Sequence, residues 1–225
     1  MFQVILFDID GTLIRSGGAG KLALANALRH TYSIEAPKVD VDYGGRTDLS
    51  LAAEILILNQ VDPSIEEIRR FLGVYVDHLE DAMVQSEGLL LPGVRELLQV
   101  LSGVSGVEIG LLTGNIRQGA FKKLEHFDLG GFFSFGGYGD NCKDRADIAR
   151  EALLEARAFT RQDLEASKVL VVGDTPSDVS CARAIGAAVL AVDTGFASSS
   201  SIKAANPDYF WPDLSDLRKF EQLCR

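Results

Sequence analysis

Asp8-Ile9-Asp10-Gly11-Thr12-Leu13 sets two carboxylates two positions apart, directly after the apolar run Val4-Ile5-Leu6-Phe7. In an extended chain residues i and i+2 share a face, so both carboxylates leave the strand end in the same direction. Gly11 permits a tight turn just behind them. Taken alone, Asp-Gly after a strand is equally consistent with a hairpin or an Asx turn, but the flanking residues do not alternate as a hairpin's would. Two further apolar runs stop at a polar residue in the same way: Val107-Glu108-Ile109-Gly110-Leu111-Leu112 at Thr113, and Val169-Leu170-Val171-Val172 at Gly173-Asp174. Ligands of open parallel sheets bind beyond the carboxyl ends of the strands. The convergence of Asp8, Thr113 and Asp174 there is the chemical signal, carboxylates and a hydroxyl gathered around a ligand.

Continuous apolar runs are expected of strands buried on both faces of a parallel sheet. Between and after them, Val94 to Leu101, Ile116 to Phe127, Ala146 to Ala158 and Val179 to Ile185 have helical period, so strand and helix alternate and the core is α/β. Residues 15–87 break the alternation, with helix after helix and no convincing strand. In Ser64 to Gln85 the apolar positions Ile65, Ile68, Leu72, Tyr75, Leu79 and Met83 step by three or four, and Ser64 with Glu67 forms a capping-box pattern. The pattern resumes at Leu91-Pro92-Gly93. We expect a Rossmann-like parallel-sheet core with helices on both faces (residues 1–14 and 88–225), carrying an inserted all-helical cap domain (residues 15–87).

Composition narrows the partners. At roughly 150 residues per domain, 225 residues make one large domain or a core with an insert; 47% hydrophobic and 24% charged content is ordinary for a globular chain. Lys and Arg number 22 against 32 Asp and Glu, a net charge of −10, which repels phosphate backbones and anionic lipids. Neither nucleic acid nor a membrane is an expected partner. Cys142, Cys181 and Cys224 are odd in number and scattered, neither a disulfide framework nor a zinc spacing, and a reducing, cytoplasmic setting fits them. No secretory n-region precedes Val4, and the longest aliphatic stretch, Ala187 to Val192, is far below a membrane span; a soluble protein that keeps its N-terminus is expected.

Asp8 to Leu13, the strand end Leu112-Thr113-Gly114-Asn115, and Gly173-Asp174-Thr175-Pro176-Ser177-Asp178 between an apolar strand and a helix resemble the first, second and fourth motifs of the haloacid dehalogenase superfamily. The resemblance spans the whole chain and points to the phosphoglycolate phosphatase-like branch with a helical cap. That family's third motif is a lysine ahead of a helix, commonly followed by proline. Here Lys143-Asp144-Arg145 precedes the helix without a proline. Counting back from Ala152 puts Lys143 in the lysine's place, whereas some relatives carry an arginine where Arg145 falls. Lys143 is favoured, since a compact ammonium can approach both a carboxylate and a phosphoryl oxygen, with a solvated helix-start residue the role of the other.

Phosphoryl transfer needs a nucleophile, a proton donor for the leaving alcohol, and positive charge around the transferring oxygens. The resemblance implies that Asp8 attacks phosphorus to form an aspartyl-phosphate. Asp10 would protonate the leaving oxygen and then deprotonate the hydrolytic water. It implies Mg²⁺ on the Asp8 carboxylate, the Asp10 carbonyl and Asp174, with Asp178 in or just behind the ligand set. Thr113 and the Gly114 N–H, beside Asn115, would bind a phosphoryl oxygen. Asp10 also points to phosphate esters, because dehalogenating relatives lack an aspartate there. The implied activity is a Mg²⁺-dependent phosphatase of a small soluble phosphate monoester, phosphoglycolate first among them. A phosphomutase on a sugar phosphate and a non-catalytic regulatory protein retaining the fold are the alternatives, and oligomeric state is not legible.

Other fragments have plainer readings. Gly17-Gly18-Ala19-Gly20-Lys21 is off pattern for a phosphate loop, since the first required glycine falls at Arg15 and Leu22 replaces Ser/Thr; it is expected to be the hinge into the cap. Gly136-Gly137-Tyr138-Gly139 is expected to be a loop beside the site, and His30, His78 and His126 are too dispersed for a metal cluster. In Gly44-Gly45-Arg46-Thr47-Asp48, Thr47 or Asp48 can cap the helix Leu49 to Leu58. Arg46 is left over; the resemblance puts such cap loops over the site, where its guanidinium could bind an anionic part of the substrate, an ordinary surface arginine being the alternative.

Overall fold

The computed structural model describes residues 1–141, 144–161 and 163–224. In chain order the elements are β1 (Val4–Phe7), β2 (Ile14–Arg15), α1 (Ala19–Tyr32), α2 (Asp48–Leu58), α3 (Ile65–Gln85), β3 (Leu89–Leu90), α4 (Val94–Ser102), β4 (Glu108–Leu112), α5 (Arg117–His126), β5 (Gly136–Gly137), α6 (Arg145–Thr160), β6 (Val169–Gly173), α7 (Pro176–Ile185), β7 (Ala188–Val192), α8 (Ser199–Ala204), β8 (Tyr209–Trp211) and α9 (Leu217–Cys224). Six strands form one parallel sheet in the order β5-β4-β1-β6-β7-β8. The three strands expected from the sequence are its neighbouring centre. Their register aligns Phe7 with Leu111 on one side and with Val172 on the other, so their carboxyl ends come level.

Alternate residues of each strand serve opposite cores. Ile5, Phe7, Leu111, Leu170 and Val172 pack with α4, α5 and α9 through Leu97, Leu98, Ala120, Leu124 and Phe220. Val4, Leu6, Leu112, Val169 and Val171 pack with α6 and α7 through Ala149, Ala152, Leu153, Val179 and Ala182. Both faces of the sheet are dry, which is why its strands read as unbroken apolar runs.

The helices α1, α2 and α3 form a third core around Leu28, Ile55, Phe71, Tyr75 and Leu79. Ser64 caps α3 by accepting the Glu67 N–H at 3.3 Å, and the expected apolar positions are buried except Ile65, which is exposed at the first turn. Thr47 is the N-cap of α2, accepting the Ser50 N–H at 3.2 Å. Where the helical block meets the sheet domain the chain departs from expectation, because β2 and β3 pair antiparallel, Ile14 with Leu90 and Arg15 with Leu89. Each is two residues long, too short to show an alternation.

Gly136 and Gly137, expected in a loop, are edge strand β5; Gly139 does lie beside the site, its N–H bonded to the Asn115 carbonyl at 2.8 Å. α1 and α3 bring His30 Nδ1 to 3.2 Å from His78 Nε2, but among the described residues no histidine joins a group of three metal-ligating side chains. The burial pattern of α3 yields a direct check. Leu79 is fully buried and Val84 is 73% exposed, so Leu79→Ala should cost about 2 to 5 kcal/mol and Val84→Ala no more than about 0.5 kcal/mol in chemical denaturation.

Candidate active site

Asp8 follows β1, and its N–H continues the sheet ladder to the Val172 carbonyl at 2.9 Å. The chain then turns, with the Gly11 N–H donating to the Ile14 carbonyl at 2.8 Å, and Thr12 Oγ1 donates to Asp174 Oδ1 at 3.0 Å. Asp174 follows β6, and Thr175 opens α7 with a capping box in which Asp178 Oδ2 accepts from the Thr175 N–H at 2.9 Å and from its hydroxyl at 2.7 Å. One carboxylate oxygen from each of Asp8, Asp174 and Asp178 lies within 4.8 Å of the others, and all three residues are buried. Burial, helped by the Asp178 and Asp10 carboxylates and opposed by the Arg145 guanidinium, pushes Asp8 up to about 7. Burial, with Asp178 and Asp8 adding to it, holds Asp174 well above the usual carboxylate range.

Arg145, at the start of α6, is buried, donates to Asp178 Oδ1 at 2.6 Å and lies 3.5 Å from Asp8 Oδ1. Among the described residues it is the cation in contact with this cluster. Lys143 lies outside the described residues. Three desolvated carboxylates facing one guanidinium are a donor set of hard oxygens with unbalanced negative charge, which suits a divalent cation such as Mg²⁺.

Thr113 and Asn115 lie beyond β4. Asn115 donates from its backbone at 3.2 Å and from Nδ2 at 2.8 Å to Thr113 Oγ1, and Nδ2 also reaches Asp10 Oδ2 at 2.8 Å. Asp10 keeps 37% of its side chain exposed, the partly open member of the pair. The cap loop sits on both neighbouring turns. The Asp48 N–H donates to the Gly114 carbonyl at 2.8 Å, Asp48 Oδ2 accepts the Ile116 N–H at 2.8 Å, and Ser177 Oγ donates to the Gly45 carbonyl at 3.0 Å. Burial raises Asp48 to about 6, against the pull of Lys123. Thr47 alone serves as the α2 cap, and Asp48 works across the boundary instead. Arg46 is engaged within the cap, bonded to Glu54, to the Ser50 carbonyl and to the Asp42 carbonyl.

Two participants went unnoticed in the sequence. Gly195, beyond β7, lies so near Asp174 that a Cβ there would stand 1.6 Å from Oδ2; a single glycine in a polar loop carries no signal of that approach. Lys123, on α5, is 5% exposed, and its Nζ donates at 2.6 Å to Asp10 Oδ2 and at 2.6 Å to Asn115 Oδ1. Burial opposes its charge, but Asp10 foremost, with Tyr75 and Asp48, holds its pKa above that of an ordinary lysine. Its signal was a lysine on the inward face of a helix, beside Ala120 and Leu124.

The haloacid dehalogenase-like hydrolase family model matches residues 5–192. The chain is 31% identical over 223 residues to a phosphoglycolate phosphatase of Pseudomonas syringae pv. tomato, covering 96% of this chain and 78% of that one. It is 31% identical over 215 residues to a phosphoglycolate phosphatase of Synechococcus elongatus, covering 96% and 95%. The crystal structure of a predicted phosphoglycolate phosphatase from Haemophilus somnus 129pt shares the fold at a TM-score of 0.74 and 22% identity, over 98% of each chain. No helix among the described residues is long and apolar enough to cross a membrane. The chain belongs to the haloacid dehalogenase-like hydrolase family, among its phosphatases.

Proposed function

We propose that this chain hydrolyses a small, soluble phosphate monoester through an aspartyl-phosphate on Asp8, with phosphoglycolate the first substrate to try because similar chains bear that name. The observation that carries the reading is the placement of Asp8 between a buried cation, Arg145, and two further carboxylates, with the half-open Asp10 carboxylate two residues on. In the first step an Asp8 oxygen forms a bond to phosphorus as the ester P–O bond breaks, and Asp10 delivers a proton to the departing oxygen. In the second, Asp10 takes a proton from water, which attacks phosphorus and returns Asp8 as a free carboxylate. Thr113, the Gly114 N–H and Asn115 bind and orient the phosphoryl oxygens, and Arg145 offsets their charge. Asp8, the Asp10 carbonyl and Asp174, with Asp178 beside them, would hold Mg²⁺, which would supply neutralising charge where two anions must meet.

Arg145 fills the basic position in this scheme, since it already touches both Asp8 and Asp178. Arg46 is assigned to shaping the cap loop, because Glu54 and two carbonyls occupy its guanidinium. The residues 15–87 act as the cap, closing on the site through Gly45 and Asp48. A diffusible substrate, the acidic surface and the free, buried Cys181 fit work in a reducing cytoplasm.

Phosphate release from a panel of short-acid, sugar and nucleotide phosphates tests the class of substrate. Chelation should abolish it, added Mg²⁺ should restore it, and folded Asp8→Asn should be inactive on every substrate. Near-wild-type turnover in that variant, with deamidation excluded, removes Asp8 as nucleophile. Asp10→Asn should slow formation of the intermediate from an alkyl phosphate by roughly 10²- to 10⁴-fold, and far less from p-nitrophenyl phosphate, whose leaving group needs no proton; equal losses on both would refute the acid role. Arg145→Ala should cost about 3 kcal/mol of transition-state stabilisation in kcat/KM and Lys143→Ala much less, the reverse ranking transferring the role to Lys143.

A further inference from the structure

Lys123 has no part in the scheme above, yet among the described residues it is the cation that touches the acid–base carboxylate. Its Nζ and the Asn115 Nδ2 both donate to one oxygen of Asp10, Oδ2, at 2.6 and 2.8 Å, and Nζ also holds Asn115 Oδ1 at 2.6 Å. The three side chains close a triangle in which each fixes the other two. Two donors on Oδ2 hold the carboxylate against rotation and leave Oδ1 for the leaving group. A helix face that needed only to pack would carry leucine or methionine at this point, since desolvating an ammonium is costly unless its partners repay it. The partners here belong to the site and to the cap's approach to it. Asp48 brackets the loop that presents Asn115, donating to the Gly114 carbonyl and accepting the Ile116 N–H, both at 2.8 Å.

We propose that Lys123 is a positioning residue for the phosphatase reaction: with Asn115 it anchors Oδ2 of Asp10 so that Oδ1 meets the leaving oxygen, and seating of Asp48 of the cap on the Gly114–Ile116 turn completes the arrangement. The proposal rests on Asp10 being the acid. It differs from the role of Arg145, which acts on the nucleophile's side of the site and so on every substrate. Lys123 acts through Asp10, and its removal is felt only where the departing oxygen needs a proton.

The test is single-turnover and steady-state kinetics of Lys123→Met and Lys123→Gln with Mg²⁺, on 2-phosphoglycolate and on p-nitrophenyl phosphate. Loss of positioning should forfeit part of the acid's contribution, lowering kcat on the alkyl phosphate about 10- to 100-fold while KM there and the rate on p-nitrophenyl phosphate stay within about threefold. Added to Asp10→Asn, Lys123→Met should cost nothing further, since the residue it acts through is already gone. Equal losses on both substrates, no loss on either, a full additional loss in the double variant, or failure of both single variants to fold would overturn the proposal by making Lys123 a structural or general electrostatic residue. Absence of leaving-group dependence in Asp10→Asn itself would instead bring down the acid assignment. Selectivity in Asp10→Asn without selectivity in Lys123→Met would bring down the positioning role alone.

Discussion

Like charges crowded into a buried space dominate this molecule. Two carboxylates about 4.8 Å apart repel by about 3 to 4 kcal/mol at an effective dielectric near 20, a large share of the roughly 5 to 15 kcal/mol by which a domain is stable. Asp8, Asp174 and Asp178 form such a group. Arg145 offsets part of the repulsion, and the first turn of α7 offsets more, since Asp178 accepts two hydrogen bonds from Thr175 at a helix N-terminus, where negative charge is favoured. Burial foremost, with the neighbouring carboxylates adding to it, still leaves Asp8 and Asp174 raised. A fold relieved of function would replace these residues with apolar ones. Their burial beyond the carboxyl ends of two central strands is what a site for a cation and a phosphoryl group requires.

The same constraint explains where the cap rests. Its loop approaches through backbone groups and one carboxylate: the Gly45 carbonyl takes the Ser177 hydroxyl, and Asp48 takes and gives hydrogen bonds on the turn after β4. Both contacts fall on segments that carry site residues, the one after β4 and the one after β6. Arg46, the residue of this loop most inviting as an anion binder, spends its guanidinium on Glu54 and two carbonyls. The hydrogen bonds between this loop and the site's turns are made by its neighbours Gly45 and Asp48.

The central strands, the inserted helices and the convergence of Asp8, Thr113 and Asp174 were legible in the sequence because burial on both faces leaves unbroken apolar runs and helices repeat every three or four residues. What escaped has a physical reason in each case. β5 is two glycines, since a Cβ at Gly137 would stand 2.3 Å from the Ile148 carbonyl of α6; close packing erased the apolar signal that marks other strands. β2 and β3 are too short for any period. His30 and His78 are distant in sequence and adjacent in space, because α1 and α3 pack together. Lys143 against Arg145 could not be decided from spacing, since both precede the same helix; Arg145 is the one whose contacts with Asp8 and Asp178 are on view.

Each of the two motif carboxylates thereby has its own cation, and the two come from opposite layers of the fold. Arg145 projects from α6, which packs on the face lined by Val4 and Leu6, and meets Asp8. Lys123 projects from α5, which packs on the face lined by Ile5 and Phe7, and meets Asp10. Alternation of side chains along a strand makes the two faces of β1 chemically separate, and Asp8 and Asp10 lie where the strand ends and that separation would be lost. A cation delivered from each helical layer restores it beyond the strand's end. In the proposed scheme this gives the nucleophile and the acid separate partners a few ångströms apart, so that each is held by a different helical layer.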